Sequence, residues 1–273
     1  MTQRLANSLL LAFLIAVTAV SMLPFVWVTL NAFKGNAEIF GKSFGLPREW
    51  LWGNFQVAWT QGRFGAYFAN SLISSVAATI IGVVVACPAG YAFAKLSASR
   101  SNVLFWAYLF GLTLPAQAII VPLFYQLRSY GLTDNIWGLV VVLVGTGTPF
   151  AVFLMRSFYR DLPNSLLEAA RIDGASEWTI FWYVMLPLSM PAVLALSVFT
   201  FLSAWNEYLL ALLLLQSEGT RTIPTGLVAF ANGDMPQYGP LFAGIVLAIL
   251  PSIAVYVILQ RSFTEGLVAG SVK

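Results

Sequence analysis

Charged residues fall along this chain at intervals that leave long apolar stretches between them. The charge-free stretches run from Arg4 to Lys34, Arg63 to Lys95, Arg100 to Arg128, Asp134 to Arg156, Glu177 to Glu207 and Asp234 to Arg261. Each can hold the ~20 apolar residues that a helix needs to cross a bilayer. The pattern therefore predicts an all-α integral membrane protein with six transmembrane helices. Their apolar cores are expected at about residues 9–30, 69–92, 103–126, 136–155, 189–213 and 241–260. The first run is far longer than the ~7 to 15 apolar residues of a signal peptide and lacks a small-residue cleavage site, so it is read as a retained helix. Gly145-Thr-Gly147-Thr-Pro149 should interrupt the fourth span, and Pro24, Pro88, Pro115, Pro122 and Pro251 also lie at membrane depth. Such prolines either kink a packed bundle or line a cavity.

Composition agrees with the pattern. Of 273 residues, 59% are hydrophobic and 9% charged, too few charges to cover a water-soluble surface. No histidine and a single cysteine, Cys87, remove zinc sites, Cys/His and Ser/His/Asp catalysis and any intrachain disulfide. A formal charge of +3 is too small a basic footprint for nucleic acid. Gly35-Asn-Ala-Glu-Ile-Phe-Gly-Lys-Ser43 comes close to a phosphate-binding loop, but it carries one residue too many between its glycines and follows a membrane span instead of a strand. No nucleotide or other cofactor is expected on this chain.

An even number of spans puts both termini on one side. With the termini inside, eight Lys and Arg residues face inward and six outward. Four of the outward ones lie in the long connection 31–68, which weighs little in this rule. The only long connection on the inner face, residues 156–188, carries its own helix signals. Ser165 with Glu168 forms a capping box, Asp173-Gly174 should end the helix, and Ser176 can cap a second one. Leu166, Ala169 and Ala170 share a low-relief face by their spacing, and Glu168 and Arg171 are placed to pair with each other or with a partner. A helix of about two turns needs outside contacts to persist. Docking to another protein and lying on the membrane surface both remain open from the residues alone.

The run Glu168-Ala169-Ala170, Asp173-Gly174-Ala175 and Leu186-Pro187, with Arg171 inside it, resembles the EAA loop of ATP-binding-cassette importer permeases. Trp205-Asn206-Glu207-Tyr208-Leu209-Leu210 and the tail Arg261–Lys273 look like the sugar-uptake branch, in particular the six-helix subunit of maltose-type pairs. This resemblance implies the type I ABC importer permease fold. It divides the chain into a first helix and external loop (1–65), a permease domain (66–262) containing the coupling loop (160–187), and a cytoplasmic tail (263–273). It implies a non-enzymatic subunit of the inner, cytoplasmic membrane, with cytoplasmic termini and ATP and Mg held by a separate ATPase dimer. A second permease subunit and an extracytoplasmic solute-binding protein complete the complex, the latter contacting the loop at 214–240. Residues 168–171, 173–175, 186 and 187 would receive the ATPase, and Gly266, Leu267, Gly270 and Lys273 of the tail would add to that contact.

Trp205, Asn206 and Glu207 are candidates for a gate or cavity that suits a sugar, against the plainer reading that Glu207 pairs or snorkels at the interface. The rival class is an ion-coupled secondary transporter, which would show inverted repeats and buried ionisable residues. No repeat is visible, and Glu207 is the one acid near a span end.

Overall fold

The computed structural model describes residues 2–96, 101–113, 115–232 and 237–269, and the side chains of all of these except 2–6, 116–117 and 259–269. No strand occurs among them. In chain order the helices are α1 Thr2–Asn31, α2 Asn36–Gly41, α3 Gly53–Thr60, α4 Phe64–Lys95, α5 Ser101–Leu109 with a 3₁₀ turn Phe110–Thr113, α6 Ala116–Ser129, α7 Ile136–Asp161 and α8 Asn164–Ile172. They continue with α9 Glu177–Ile180, a π turn Phe181–Met185, α10 Leu186–Leu188, α11 Met190–Trp205, α12 Leu209–Leu214, α13 Ile223–Ala231 and α14 Tyr238–Ala269.

Four helices, in α1, α4, α7 and α14, are long and apolar enough to cross a membrane, and the count rises to six where each of two bent pairs is taken as one span. Two expected spans are therefore broken. The third bends by 100° between Ser101–Thr113 and Ala118–Ser129, where Pro115 is extended with ψ 135° and cannot donate to a helical ladder. The expected fifth core, 189–213, starts at a 75° bend beside Ser189 that joins Glu177–Leu188 to Met190–Trp205, and it breaks again between Trp205 and Leu209. Pro187 and Pro191 remove two donors around the first of these breaks. Conversely, the fourth span was expected to be interrupted at Gly145–Pro149, yet α7 runs through it. Pro149 removes only one ladder donor, and the Thr146 and Thr148 hydroxyls donate to the carbonyls of Val142 and Val144 one turn back.

The chain forms two compact units. The first comprises residues 1–65 and 226–250. Its core gathers Ala32, Phe33, Ala58, Phe64 and Ala243. Residues 7–26 of α1 are exposed on every side. A helix apolar all round with no protein cover is stable only in lipid. In the same unit the buried Lys34 ammonium donates to the carbonyls of Lys42 and Ser43, at 3.3 and 2.9 Å, holding the end of α2. The Gly35–Ser43 stretch is thus a short helix with a lysine at its end, and no strand leads into it.

The second unit comprises residues 66–225 and 251–273. Its main core packs Ala86 and Tyr91 of α4, Phe105 of α5, Met155 and Tyr159 of α7, and Leu196 of α11. Leu167 of α8 joins the same cluster. A second cluster joins α6, α7 and α12 through Leu127, Leu139, Leu210 and Leu214. Helices α4 and α7 approach closely at Gly90, where a Cβ would lie 2.7 Å from the Met155 Cβ and 2.9 Å from the Arg156 amide nitrogen.

Candidate functional site

The connection from Leu162 to Leu188 is built from short elements that each close their own ends. Helix α8 starts at Asn164 after Pro163, and no side chain caps it. The Ser165–Glu168 capping box is therefore not formed, because the fixed φ of Pro163 (−60°) starts the helix before Ser165 can serve as its cap. Lys95, at the end of α4, instead reaches this entry, donating to the Leu162 carbonyl and to Asn164 Oδ1 at 2.7 Å each. At the other end Gly174 takes φ +81°. Its N–H donates to the Arg171 carbonyl and that of Ala175 to the Ala170 carbonyl, both at 3.0 Å. This pair of bonds is the Schellman closure, which requires a left-handed residue after the cap. Ser176 then caps α9, its Oγ accepting from the Thr179 N–H at 3.2 Å.

Leu167 is buried, and Ala170, Ala175 and Leu186 pack partly against the same core. The outer face presents Leu166, Glu168, Ala169, Arg171, Asp173 and Gly174, with Pro187 also exposed. Ile172, at 85% exposure, is the most open large apolar side chain of this stretch. The expected face of Leu166, Ala169 and Ala170 is thus corrected: Ala170 turns inward three residues after Leu167, as helical spacing dictates.

Of the two pairings open to Arg171 in the sequence, that with Glu168 is not formed, and a residue beyond Gly174 takes its place. Arg171 Nε donates to Glu177 Oε1 at 2.7 Å, and Glu177 Oε2 accepts from the Tyr91 hydroxyl at 2.6 Å. The Arg171 guanidinium and then the Tyr91 hydroxyl pull the Glu177 carboxyl below its usual range, and Glu177 raises Arg171 in turn. One carboxylate therefore joins α8 to α4. Tyr91 meets the Tyr159 ring edge-on at 5.9 Å, and the Tyr159 hydroxyl lies 3.1 Å from Ser189 Oγ at the 75° bend.

A cavity of about 330 Å³ lies among α4, α7 and α11, lined in part by Thr146, Phe150, Phe199, Thr200, Ser203 and Glu207. Glu207 sits in the break between α11 and α12, where its Oε1 accepts from the Leu210 N–H at 2.9 Å. Trp205, expected in the same gate, is instead buried, stacked on Phe201 and edge-on to Phe68. Asn206 is exposed and donates back to the Leu202 carbonyl. Gly266 and Leu267 lie within α14, their side chains outside the description, and Gly270 and Lys273 lie outside the described residues. Among the described residues, no cluster of His, Cys, Asp and Glu could hold a metal.

Residues 78–267 match the family described as "Binding-protein-dependent transport system inner membrane component". The chain belongs to this family. It is 36% identical over 263 residues to the diacetylchitobiose uptake system permease protein NgcG of Streptomyces coelicolor, covering 96% of this chain and 85% of that protein. It is 34% identical over 272 residues to the sn-glycerol-3-phosphate transport system permease protein UgpE of Pectobacterium atrosepticum, covering 96% and 95%. The fold is similar to that of a solved bacterial ABC transporter involved in the import of the acidic polysaccharide alginate, with TM-score 0.81 and 25% identity over 94% of this chain and 96% of that one.

The protein is thus a multi-pass permease with the type I ABC importer fold, and the ion-coupled secondary carrier gives way to it. In this permease, reasoning from sequence missed Glu177, Tyr91 and Lys95. Glu177 directly follows a capping serine, a visible signal for an acid in a first helical turn. Its partner Tyr91, 86 residues away, has no local signal.

Proposed function

We propose that this permease is one of two membrane subunits of an ATP-driven importer for a sugar or oligosaccharide. It docks an ATPase dimer through residues 160–187 and is supplied by an extracytoplasmic solute-binding protein. The observation that carries the reading is the exposed strip Glu168, Ala169, Ile172 and Asp173 on a helix closed at Gly174 and tied to a membrane span through Glu177 and Tyr91. The strip can be read by a cleft in another protein, while the tie passes displacement to the bundle.

In this reading both termini are cytoplasmic and the tail, with Gly266, Leu267, Gly270 and Lys273, adds to the ATPase contact. ATP and Mg are bound and consumed on the partner, so this chain holds no cofactor. The loop at 214–240 meets the binding protein. The carbohydrate assignment is supported by relatives named for diacetylchitobiose, lactose and starch degradation products.

The test is a cysteine at Ile172 in the assembled complex. Cys87 is buried and does not compete. Bifunctional thiol reagents should join Ile172→Cys to a cysteine placed in the ATPase cleft, and ATP should drive uptake of labelled diacetylchitobiose or lactose into proteoliposomes. Absence of any cross-link in an active complex removes the docking assignment. Uptake that stops when the proton gradient collapses while ATP is maintained removes the ATP-driven reading.

A further inference from the structure

The cavity at Glu207 lies deep in the membrane-spanning region. At 1.5 Å per residue, its Ala78 is about 21 Å along α4 from Phe64 and its Gly147 about 17 Å along α7 from Ile136. It is also open. Thr146, Gly147, Phe150, Phe199 and Ser203 are exposed and Glu207 is half-buried. A carboxylate with two hydroxyl-bearing helices beside it is costly against lipid, so such an open face belongs against water, cargo or the second membrane subunit.

Its side chains mostly offer acceptors, the Ser203 hydroxyl alone keeping a proton to donate among the described residues. Thr146 and Thr200 spend their hydroxyl protons on the carbonyls of Val142 and Leu196 one turn back, at 2.8 and 2.9 Å. Their oxygens are left as acceptors. Glu207 uses Oε1 on the Leu210 N–H, and Oε2 takes no hydrogen bond among the described residues. No basic side chain lines the cavity. Two phenylalanine rings, Phe150 and Phe199, meet edge-on at 6.0 Å in its wall. A wall of acceptors beside apolar ring faces suits a ligand that offers hydroxyl donors and C–H faces. It opposes a ligand that offers only anionic acceptors.

We propose that Glu207, with Thr146, Thr200 and Ser203, forms a subsite in the translocation path for neutral hydroxyl-rich cargo, and that its carboxylate selects against anionic cargo such as phosphate esters and uronates. This rests on the import reading above and narrows its substrate class. It predicts a cargo unlike those for which the sn-glycerol-3-phosphate relative and the alginate importer are named.

The test places a thiol at Ser203 in the full complex and measures its modification by small cationic and anionic thiosulfonate reagents, each rate normalised to that of a free thiol. Ser203 and Glu207 are about one helical turn apart. A unit charge at about 6 Å in water-like surroundings changes each rate about threefold, in opposite directions, so the cationic reagent should lead about tenfold. In Ser203→Cys/Glu207→Gln, whose amide oxygen still accepts from Leu210, the two normalised rates should converge. Millimolar diacetylchitobiose should slow both reactions, and sn-glycerol 3-phosphate should not.

No modification by either reagent means that the face lies against lipid or protein and overturns the proposal. So do equal rates in the parent variant, or protection by the phosphate ester. Each of these outcomes leaves ATP-driven uptake measurable on its own, so the subsite can fail while the import reading stands.

Discussion

Replacing Gly174 with valine isolates a backbone effect. Gly174 holds φ +81°, and a Cβ there meets nothing within 4 Å, so no steric clash enters. The left-handed conformation costs an L-residue about 1–2 kcal/mol, with a β-branched side chain toward the upper end. Helix α8 spans nine residues, below the ~12 to 15 at which isolated helices become even marginally stable, so it has no reserve to absorb that loss. A loss of about 1–2 kcal/mol shifts a local closed-to-open equilibrium by about 5- to 30-fold. The amides to follow are Asp173, Gly174 and Ala175, which donate to the carbonyls of Ala169, Arg171 and Ala170, each at 3.0 Å. Hydrogen exchange at these amides in the reconstituted complex should accelerate by that factor. ATP hydrolysis should persist with reduced uptake. Gly174→Asn should fall between, since asparagine tolerates the left-handed region. Parent-like exchange in the valine variant would refute the closure argument, and asparagine as damaging as valine would place the cause outside the backbone.

Gly90→Ala forces α4 and α7 apart, because the new Cβ meets the Met155 Cβ and the Arg156 main chain. A loss of about 1–3 kcal/mol is expected, read as a lower Tm in detergent, and an unchanged Tm would show that the helices can shift freely. The Arg171 guanidinium and then the Tyr91 hydroxyl hold the Glu177 carboxyl below its ordinary titration pH. Its contribution is therefore complete above that pH and is lost as pH falls through the lower folded value. The Tm gap between the parent and Glu177→Gln should be full at neutral pH and close in acid, and it should be small because Arg171 and Glu177 are both solvent-exposed enough to be screened. A gap that grows on acidification would reverse the assignment. Asp134 accepts from the Gln216 and Ser217 amides and the Thr220 hydroxyl at 3.1, 2.9 and 2.5 Å. Asp134→Ala should loosen residues 214–222 by about 1–2 kcal/mol, seen as faster proteolysis there, with Asp134→Asn milder because it keeps an acceptor oxygen.

The four continuous spans, in α1, α4, α7 and α14, were legible because a charge-free run carries its own lipid-facing requirement, whatever it packs against. Gly174 and Ser176 were legible for a similar reason: the end of a helix is satisfied within a few residues. The interruptions were misplaced where neighbours decide. Gly145–Pro149 looked like a break and is helical, since Pro149 removes a single ladder donor within a span whose neighbours pack it. Residues 206–208 looked like the end of a helix and form a break, with Glu207 serving the helix that follows. Arg171 had two acids within reach, Glu168 on its own helix and Glu177 beyond the glycine. The choice turned on Tyr91, which fixes Glu177 from another span and leaves Glu168 outside.

In the proposed docking to an ATPase, that choice bears on how so short a helix would carry displacement. Left to itself, α8 would melt or swing when pushed, and the motion would be absorbed by its flanking turns. Its entry is held by Lys95 from the end of α4, its middle by Leu167 in the main core, and its exit by the glycine closure and the Arg171–Glu177 pair. Glu177 leads to Tyr91 in α4, Tyr91 packs on Tyr159 in α7, and Tyr159 meets Ser189 at the bend of the fifth span. No single one of these contacts is strong. Between them they engage α4, α7 and the bend before α11, so tilting α8 strains all three together. Packed helices respond to such a push by switching between discrete arrangements, because a close-packed interior does not deform continuously.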